Sequence, residues 1–243
     1  MPLLLYGITQ GPVPALSNPE GVGGQPIRCL DVAGLGVYVS DFDGEQVIAR
    51  RRNLADFQRT VTELGSGDGV LPASFGLLAT DEQQIRDIIE RNAGVIREQL
   101  SSVRGRVEYT IRLRWNGENL FAWFVECYPS LRALRDRYLG GGRNPTHDER
   151  LHLGQSFERL LVAERAKATE TVLADLGPVI ADWREMPLGN EQTFCALALL
   201  VARGQEAALD EAVAKTAARF DDNHVVELLG PWPPYSFAEL KLE

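Results

Sequence analysis

Ten consecutive residues, Arg106 to Trp115, alternate between polar and apolar side chains. Successive side chains of a β-strand point to opposite faces, so this pattern predicts a half-buried strand. The apolar face comprises Val107, Tyr109, Ile111, Leu113 and Trp115, and the polar face Arg106, Glu108, Thr110, Arg112 and Arg114. Glu108 shares its face with Arg112 and Arg114, which predicts a ladder of ion pairs on the surface.

Downstream of this strand, Asn116-Gly117 supplies the residues of a tight turn, which predicts Leu120–Cys127 as the second strand of a hairpin. A capping-box pattern, Thr146 with Glu149, then predicts the start of a long helix that ends near Leu176. The run Phe194–Val201 is apolar on both faces, which favours a central strand, with a buried helix as the alternative.

Counting the first hairpin as one unit, residues 106–229 follow the order strand, helix, strand, strand, helix, strand. This is the order of the βαββαβ ferredoxin-like sandwich. The sequence therefore predicts an α+β fold with two domains. Residues 1–105 form an N-terminal modified ferredoxin-like domain, and residues 106–243 form a C-terminal α+β domain that carries the long helix and a C-terminal arm.

The first half begins with a buried strand at Leu3–Ile8, and a loop rich in proline and glycine then occupies residues 9–26. Two short strands around Gly34 and Gly36 come next. We predict a helix capped by Asn53, with Leu54, Phe57, Val61 and Leu64 on its buried stripe, and a second helix opened by a capping box at Thr80–Gln83.

The C-terminal arm contains Gly230-Pro231-Trp232-Pro233-Pro234-Tyr235-Ser236-Phe237. Proline lacks an amide donor and has a fixed φ, so the arm cannot continue a helix or lie in a central strand. The interleaved aromatic side chains bury large areas at little entropic cost. Such an arm lies in a groove, either of its own chain or of a partner. The candidate partner-binding residues are Trp232, Tyr235 and Phe237.

Charge and motif content narrow the classes of function. The net charge of −9 disfavours general nucleic-acid binding and attachment to anionic membranes. The three cysteines form no CxxC pair, which indicates a reducing cytoplasm. The chain lacks a phosphate-binding glycine loop, a nucleophile elbow and paired metal ligands at helical spacing. We therefore predict no catalytic site, no cofactor and no metal ion.

Four stretches, taken together, resemble the gas vesicle protein F/L family. They are Leu5-Tyr6-Gly7-Ile8, Val70-Leu71-Pro72-Ala73-Ser74-Phe75-Gly76, Glu108-Tyr109-Thr110-Ile111-Arg112 and Gly230–Phe237. They occur in the expected order from one end of the chain to the other. Ser74 departs from the family pattern, in which a basic residue often precedes Phe-Gly.

This resemblance implies a minor structural or assembly component of gas vesicles. It implies binding to the hydrophobic major shell protein (GvpA-type) and to other gas vesicle accessory proteins, with a part in nucleation by preventing shell-protein aggregation. It also implies a location on the vesicle within the cytoplasm, and suggests the gas-facing surface of the shell. Without the resemblance, the alternative interpretation is a ferredoxin-like module that binds a small molecule and regulates another process.

Overall fold

The first strand is buried along its whole length and lies inside an antiparallel sheet. In the computed structural model the strand order is β2-β3-β1-β4, and β5 also pairs with β1. The strands are β1 (Leu3–Thr9), β2 (Ile27–Val32), β3 (Leu35–Asp41), β4 (Leu71–Pro72) and β5 (Leu78–Ala79). Strands β2, β3 and β1 are antiparallel neighbours. The predicted first strand and the pair around Gly34 are confirmed.

Helices α1 (Arg51–Leu64) and α2 (Glu82–Val103) belong to the same part of the chain. α1 begins two residues before the predicted cap, and the Asn53 side chain donates to the Ile48 carbonyl. Phe57, Val61 and Leu64 are buried as predicted, but Leu54 remains 43% exposed.

The capping box predicted at Thr80 is displaced by one residue. Asp81 caps α2 by accepting a hydrogen bond from the Gln84 amide, and the Gln84 side chain accepts one from the Thr80 amide. An aspartate carboxylate is as good an N-cap acceptor as a hydroxyl, so the sequence pattern left both positions open.

A second sheet has the strand order β7-β8-β6-β9. The strands are β6 (Arg106–Trp115), β7 (Asp182–Glu185), β8 (Thr193–Ala202) and β9 (His224–Trp232). The helices in this half are α3 (Leu120–Cys127), α4 (Pro129–Leu139), α5 (His147–Leu176) and α6 (Glu206–Ala217). β8 is buried from Thr193 to Val201 and has a neighbour on each side, which confirms the central-strand interpretation. The capping box at Thr146 and Glu149 is also confirmed.

The predicted hairpin partner at Leu120–Cys127 is wrong, because this segment is the helix α3. The Asn119 side chain caps it by accepting a hydrogen bond from the Ala122 amide at 2.9 Å. Leu120 and Phe124, four residues apart, lie on its buried side. Period-2 and period-3.6 patterns are hard to distinguish in a short run whose only charged residue is Glu126, so the cap is the more informative signal.

The structure describes residues 1–13, 16–142 and 144–238, which contain nine strands and six α-helices and confirm the α+β class. The chain divides into two compact units. Described residues of Met1–Tyr109, Leu199–Gly204 and Gly230–Glu243 form the first, and those of Thr110–Ala198 and Gln205–Leu229 the second. In these described ranges, no helix has both the length and the apolar character to cross a membrane.

Candidate partner-binding site

The C-terminal segment, defined here as Gly230–Phe237, lies on its own chain within the first unit. Its first three residues extend β9, which is an edge strand and therefore tolerates Pro231. Pro233 and Pro234 are buried, and Tyr235–Phe237 form a single 3₁₀ turn. The Tyr235 hydroxyl donates to Gln58 Oε1 of α1 at 3.3 Å.

Glu108 fixes the turn at the end of this segment. Its carboxylate accepts a hydrogen bond from the Ser236 amide at 2.7 Å and a second from the Ser236 hydroxyl at 2.8 Å. Glu108 is 5% exposed, so the predicted surface ladder with Arg112 and Arg114 is wrong. Arg114 pairs with Glu227 of β9 instead, at 2.5 Å. The face that looked solvent-exposed in the sequence is covered at Glu108 by a segment more than a hundred residues later.

Burial perturbs both titratable groups of this contact. It raises the pKa of the Glu108 carboxyl above its ordinary value, against the opposing effect of the two Ser236 hydrogen bonds. Burial, with a smaller contribution from the nearby Glu108 charge, raises the pKa of Tyr235 to about 12. Tyr235 is therefore a neutral hydrogen-bond donor at physiological pH.

An open groove of about 530 Å³ adjoins the segment. Its lining is mainly apolar and consists of Leu54, Ala55, Phe57, Gln58, Phe75, Glu108, Trp232 and Tyr235. Phe57 and Phe75 meet edge to face, with ring centroids 5.4 Å apart. The exposed side chains of Leu54 and Trp232 leave apolar surface in contact with water, a feature that marks binding sites when such residues cluster.

The three predicted partner-binding residues differ in their surroundings. Trp232 is 42% exposed, Tyr235 is half-buried and Phe237 is buried. Trp232 and Tyr235 both line the groove. Leu54, Phe75 and Glu108 also line the groove, and none of them was predicted as a site residue from the sequence. The only signal for them was that Phe75 and Glu108 fall inside two of the four stretches that carry the family resemblance.

Histidine and cysteine side chains are the remaining candidates for metal binding or nucleophilic chemistry in the described ranges. No group of three or more His, Cys, Asp and Glu side chains within these ranges could hold a metal ion. His224 Nδ1 lies 2.6 Å from Asp221 Oδ1, and this contact joins β9 to the turn that precedes it. Cys29, Cys127 and Cys195 are all free thiols, and burial raises the pKa of each.

We expect Glu108→Gln to flatten the pH dependence of stability. A carboxyl whose pKa is raised on folding stabilises the folded state below its unfolded pKa, and this contribution disappears as pH rises through the folded pKa. Wild type should therefore lose stability relative to the variant between about pH 5 and about pH 7.5. Urea unfolding at both pH values measures the difference. Glutamine can accept from the Ser236 amide and donate to its hydroxyl, so the contact survives. Parallel pH profiles for the two proteins would contradict the expectation.

Comparisons with known proteins agree along the whole chain. A family model described as "Gas vesicle synthesis protein GvpL/GvpF" matches residues 2–239. A gas vesicle protein F from Streptomyces sp. (strain CB03234) is 30% identical over 248 residues, covering 98% of this chain and 100% of that protein. Gas vesicle protein L2 of Halobacterium salinarum is 25% identical, covering 95% and 88%.

Two solved structures have the same fold. The gas vesicle protein GvpF from Anabaena sp. PCC7120 superposes with a TM-score of 0.85 at 21% identity, and 98% of each chain is covered. GvpF from Microcystis aeruginosa gives a TM-score of 0.83 at 23% identity, covering 98% of this chain and 99% of that one. At these identities the likeness concerns the fold alone.

Proposed function

Since the chain belongs to the GvpL/GvpF family of gas vesicle synthesis proteins, we propose that it is a minor structural or assembly component that binds the hydrophobic major shell protein. In this role it covers apolar surface of shell subunits before assembly and so limits their aggregation during nucleation. The proposed location is the vesicle, on the gas-facing side of the shell. Other gas vesicle accessory proteins are further proposed partners.

The observation that carries this proposal is that exposed apolar side chains border a groove beside the C-terminal segment, which is itself held in place by contacts within the chain. Trp232 and Leu54 border a groove whose lining is mainly aromatic and aliphatic. The residues that follow Trp232 are held by two buried prolines and by the Glu108–Ser236 contact, so little order has to be gained on binding. Large aromatic side chains on such a support are typical of binding hot spots. The net charge of −9 keeps the carrier itself dispersed.

The exposure pattern divides the three candidate residues by role. We propose that Trp232 and the exposed edge of Tyr235 contact the partner, whereas Phe237 holds the segment in place by its burial. Capture of the partner should then depend on Trp232 with no loss of folding.

We expect Trp232→Ala to weaken capture of the purified major shell protein about tenfold. The loss of a half-exposed side chain should leave the circular-dichroism spectrum and the unfolding midpoint nearly unchanged. Trp183→Ala is the matched control, because Trp183 is 37% exposed on β7 and lies outside the groove. Equal capture by the wild type and both variants would refute the proposed surface.

Flotation separates this role from that of a small-molecule-binding regulatory module. The proposed role requires the chain to float with purified vesicles, whereas the alternative predicts that it stays in the soluble fraction. The volume of the groove falls within the range of ligand pockets, so a thermal-shift screen against metabolites tests the alternative directly.

We also propose that each half of the chain is ferredoxin-like. The strand order β7-β8-β6-β9, with helices between β6 and β7 and between β8 and β9, supports a βαββαβ domain from residue 106. Residues 1–105 are the proposed modified copy, in which the segment between β1 and β2 contains no α-helix in the residues that the structure describes.

A further inference from the structure

The groove contains an acidic group that no cation among the described residues neutralises. Glu108 lines the groove, and in the described part of the chain its carboxylate forms no ion pair. Its only hydrogen-bond donors among the described residues are the amide and hydroxyl of Ser236. A buried carboxylate with neutral donors alone retains a large desolvation cost.

Glu108 also keeps unused capacity to accept hydrogen bonds. An ionised carboxylate offers about four lone-pair sites, and Ser236 occupies one on each oxygen. Most of the surrounding wall is apolar and includes Leu54, Phe57, Phe75 and Trp232, and the polar groups of Gln58 and Tyr235 hydrogen-bond to each other. A ligand that fits this wall therefore needs apolar surface and one hydrogen-bond donor, and the uncompensated negative charge favours a cationic donor.

We propose that the groove binds an apolar segment of a partner protein that carries a single Lys or Arg side chain directed at Glu108. The aliphatic stem of that side chain packs along the apolar wall while its charged head group reaches the carboxylate. The net charge of −9 on this chain attracts a cationic segment from a distance. This inference rests on the proposed function, because it specifies what part of the partner the same groove recognises.

The chemistry of the partner's segment can be tested with the wild-type protein and synthetic peptides. Three synthetic peptides share the same Leu and Ser content and differ only at a central residue, which is Lys, norleucine or Glu. Isothermal titration should show that the Lys peptide binds about tenfold more tightly than the norleucine peptide, and that the Glu peptide binds most weakly. Norleucine retains the aliphatic stem, so the comparison isolates the charge.

Two variants then locate the charge that is recognised. Glu108→Gln should abolish the preference for Lys, so that the Lys and norleucine peptides bind this variant with similar affinity. Glu98→Gln is the control, because it removes the same charge from an exposed position of α2 that does not line the groove. A preference for Lys that persists in Glu108→Gln, or that disappears equally in Glu98→Gln, would overturn the inference.

The remaining outcomes distinguish this inference from the proposed function. Equal binding of the Lys and norleucine peptides, or no binding of any peptide, refutes the proposal that this groove binds a partner segment through a cationic side chain. Capture of the shell protein that still depends on Trp232 would leave the proposed function intact in either case. Loss of the Trp232 dependence refutes the proposed function without involving the peptides.

Discussion

Phe124→Ala should destabilise the protein by about 3–5 kcal/mol, the largest effect we expect from a single substitution. Phe124 is fully buried on α3 and belongs to an aromatic cluster of the second unit. Its ring meets Phe157 edge to face at 5.1 Å and stacks on Tyr128 at 5.5 Å. Truncation removes the apolar burial and these ring contacts together, and it leaves a cavity that well-packed neighbours fill only partly.

Urea unfolding measures the loss, followed by circular dichroism and by tryptophan fluorescence, because Trp123 also packs against Phe124. Leu151→Ala is the control, since Leu151 is 51% exposed on α5 and its truncation should change stability by less than about 0.5 kcal/mol. A loss below about 1 kcal/mol for Phe124→Ala would mean that α3 does not pack as described.

Helix α3, which contains Phe124, is also the element whose conformation could not be predicted from the sequence pattern. Arg106–Trp115 could be assigned because ten residues of strict alternation fit only a strand. α5 could be assigned because a capping box opened it and a Gly-Pro pair ended it. The eight residues of α3 include a single charged residue, Glu126, so their spacing does not distinguish a helix from a strand. The Asn-Gly pair upstream wrongly suggested a hairpin.

The candidate site was predictable only in part, for a different reason. The aromatic side chains near the C-terminus are easily recognised in the sequence. The prolines correctly excluded a helix and a central strand, since the chain up to Trp232 belongs to an edge strand. Glu108 could not be identified, because its polar neighbours at every second position are typical of a solvated face. Its burial depends on Ser236, which is 128 residues away in sequence. Leu54 was assigned to the core by its helical spacing, and only its 43% exposure reveals it as groove surface.

Gly230→Ala is the second substitution with a large expected effect, because Gly230 is the point at which the C-terminal segment begins. Its φ of +137° is a conformation that side-chain-bearing residues rarely adopt. A Cβ atom placed there would lie 2.9 Å from the Glu108 carbonyl oxygen and 2.9 Å from Tyr109 Cδ1. The backbone strain alone costs about 1–3 kcal/mol, and the contact with a main-chain oxygen cannot be relieved by a side-chain rotation.

We therefore expect Gly230→Ala to lower stability by about 2 kcal/mol or more and to loosen the segment that presents Trp232. Gly204→Ala is the matched control in the first unit, because Gly204 also has a positive φ, +85°, but a Cβ there meets open space. The control should show a smaller loss, since it has no steric conflict with another segment. Urea unfolding gives the stabilities, and limited proteolysis near the C-terminus reports whether the segment has detached from the rest of the first unit. Equal losses in the two variants would show that backbone strain, rather than the close approach to Glu108, accounts for the requirement for glycine at position 230.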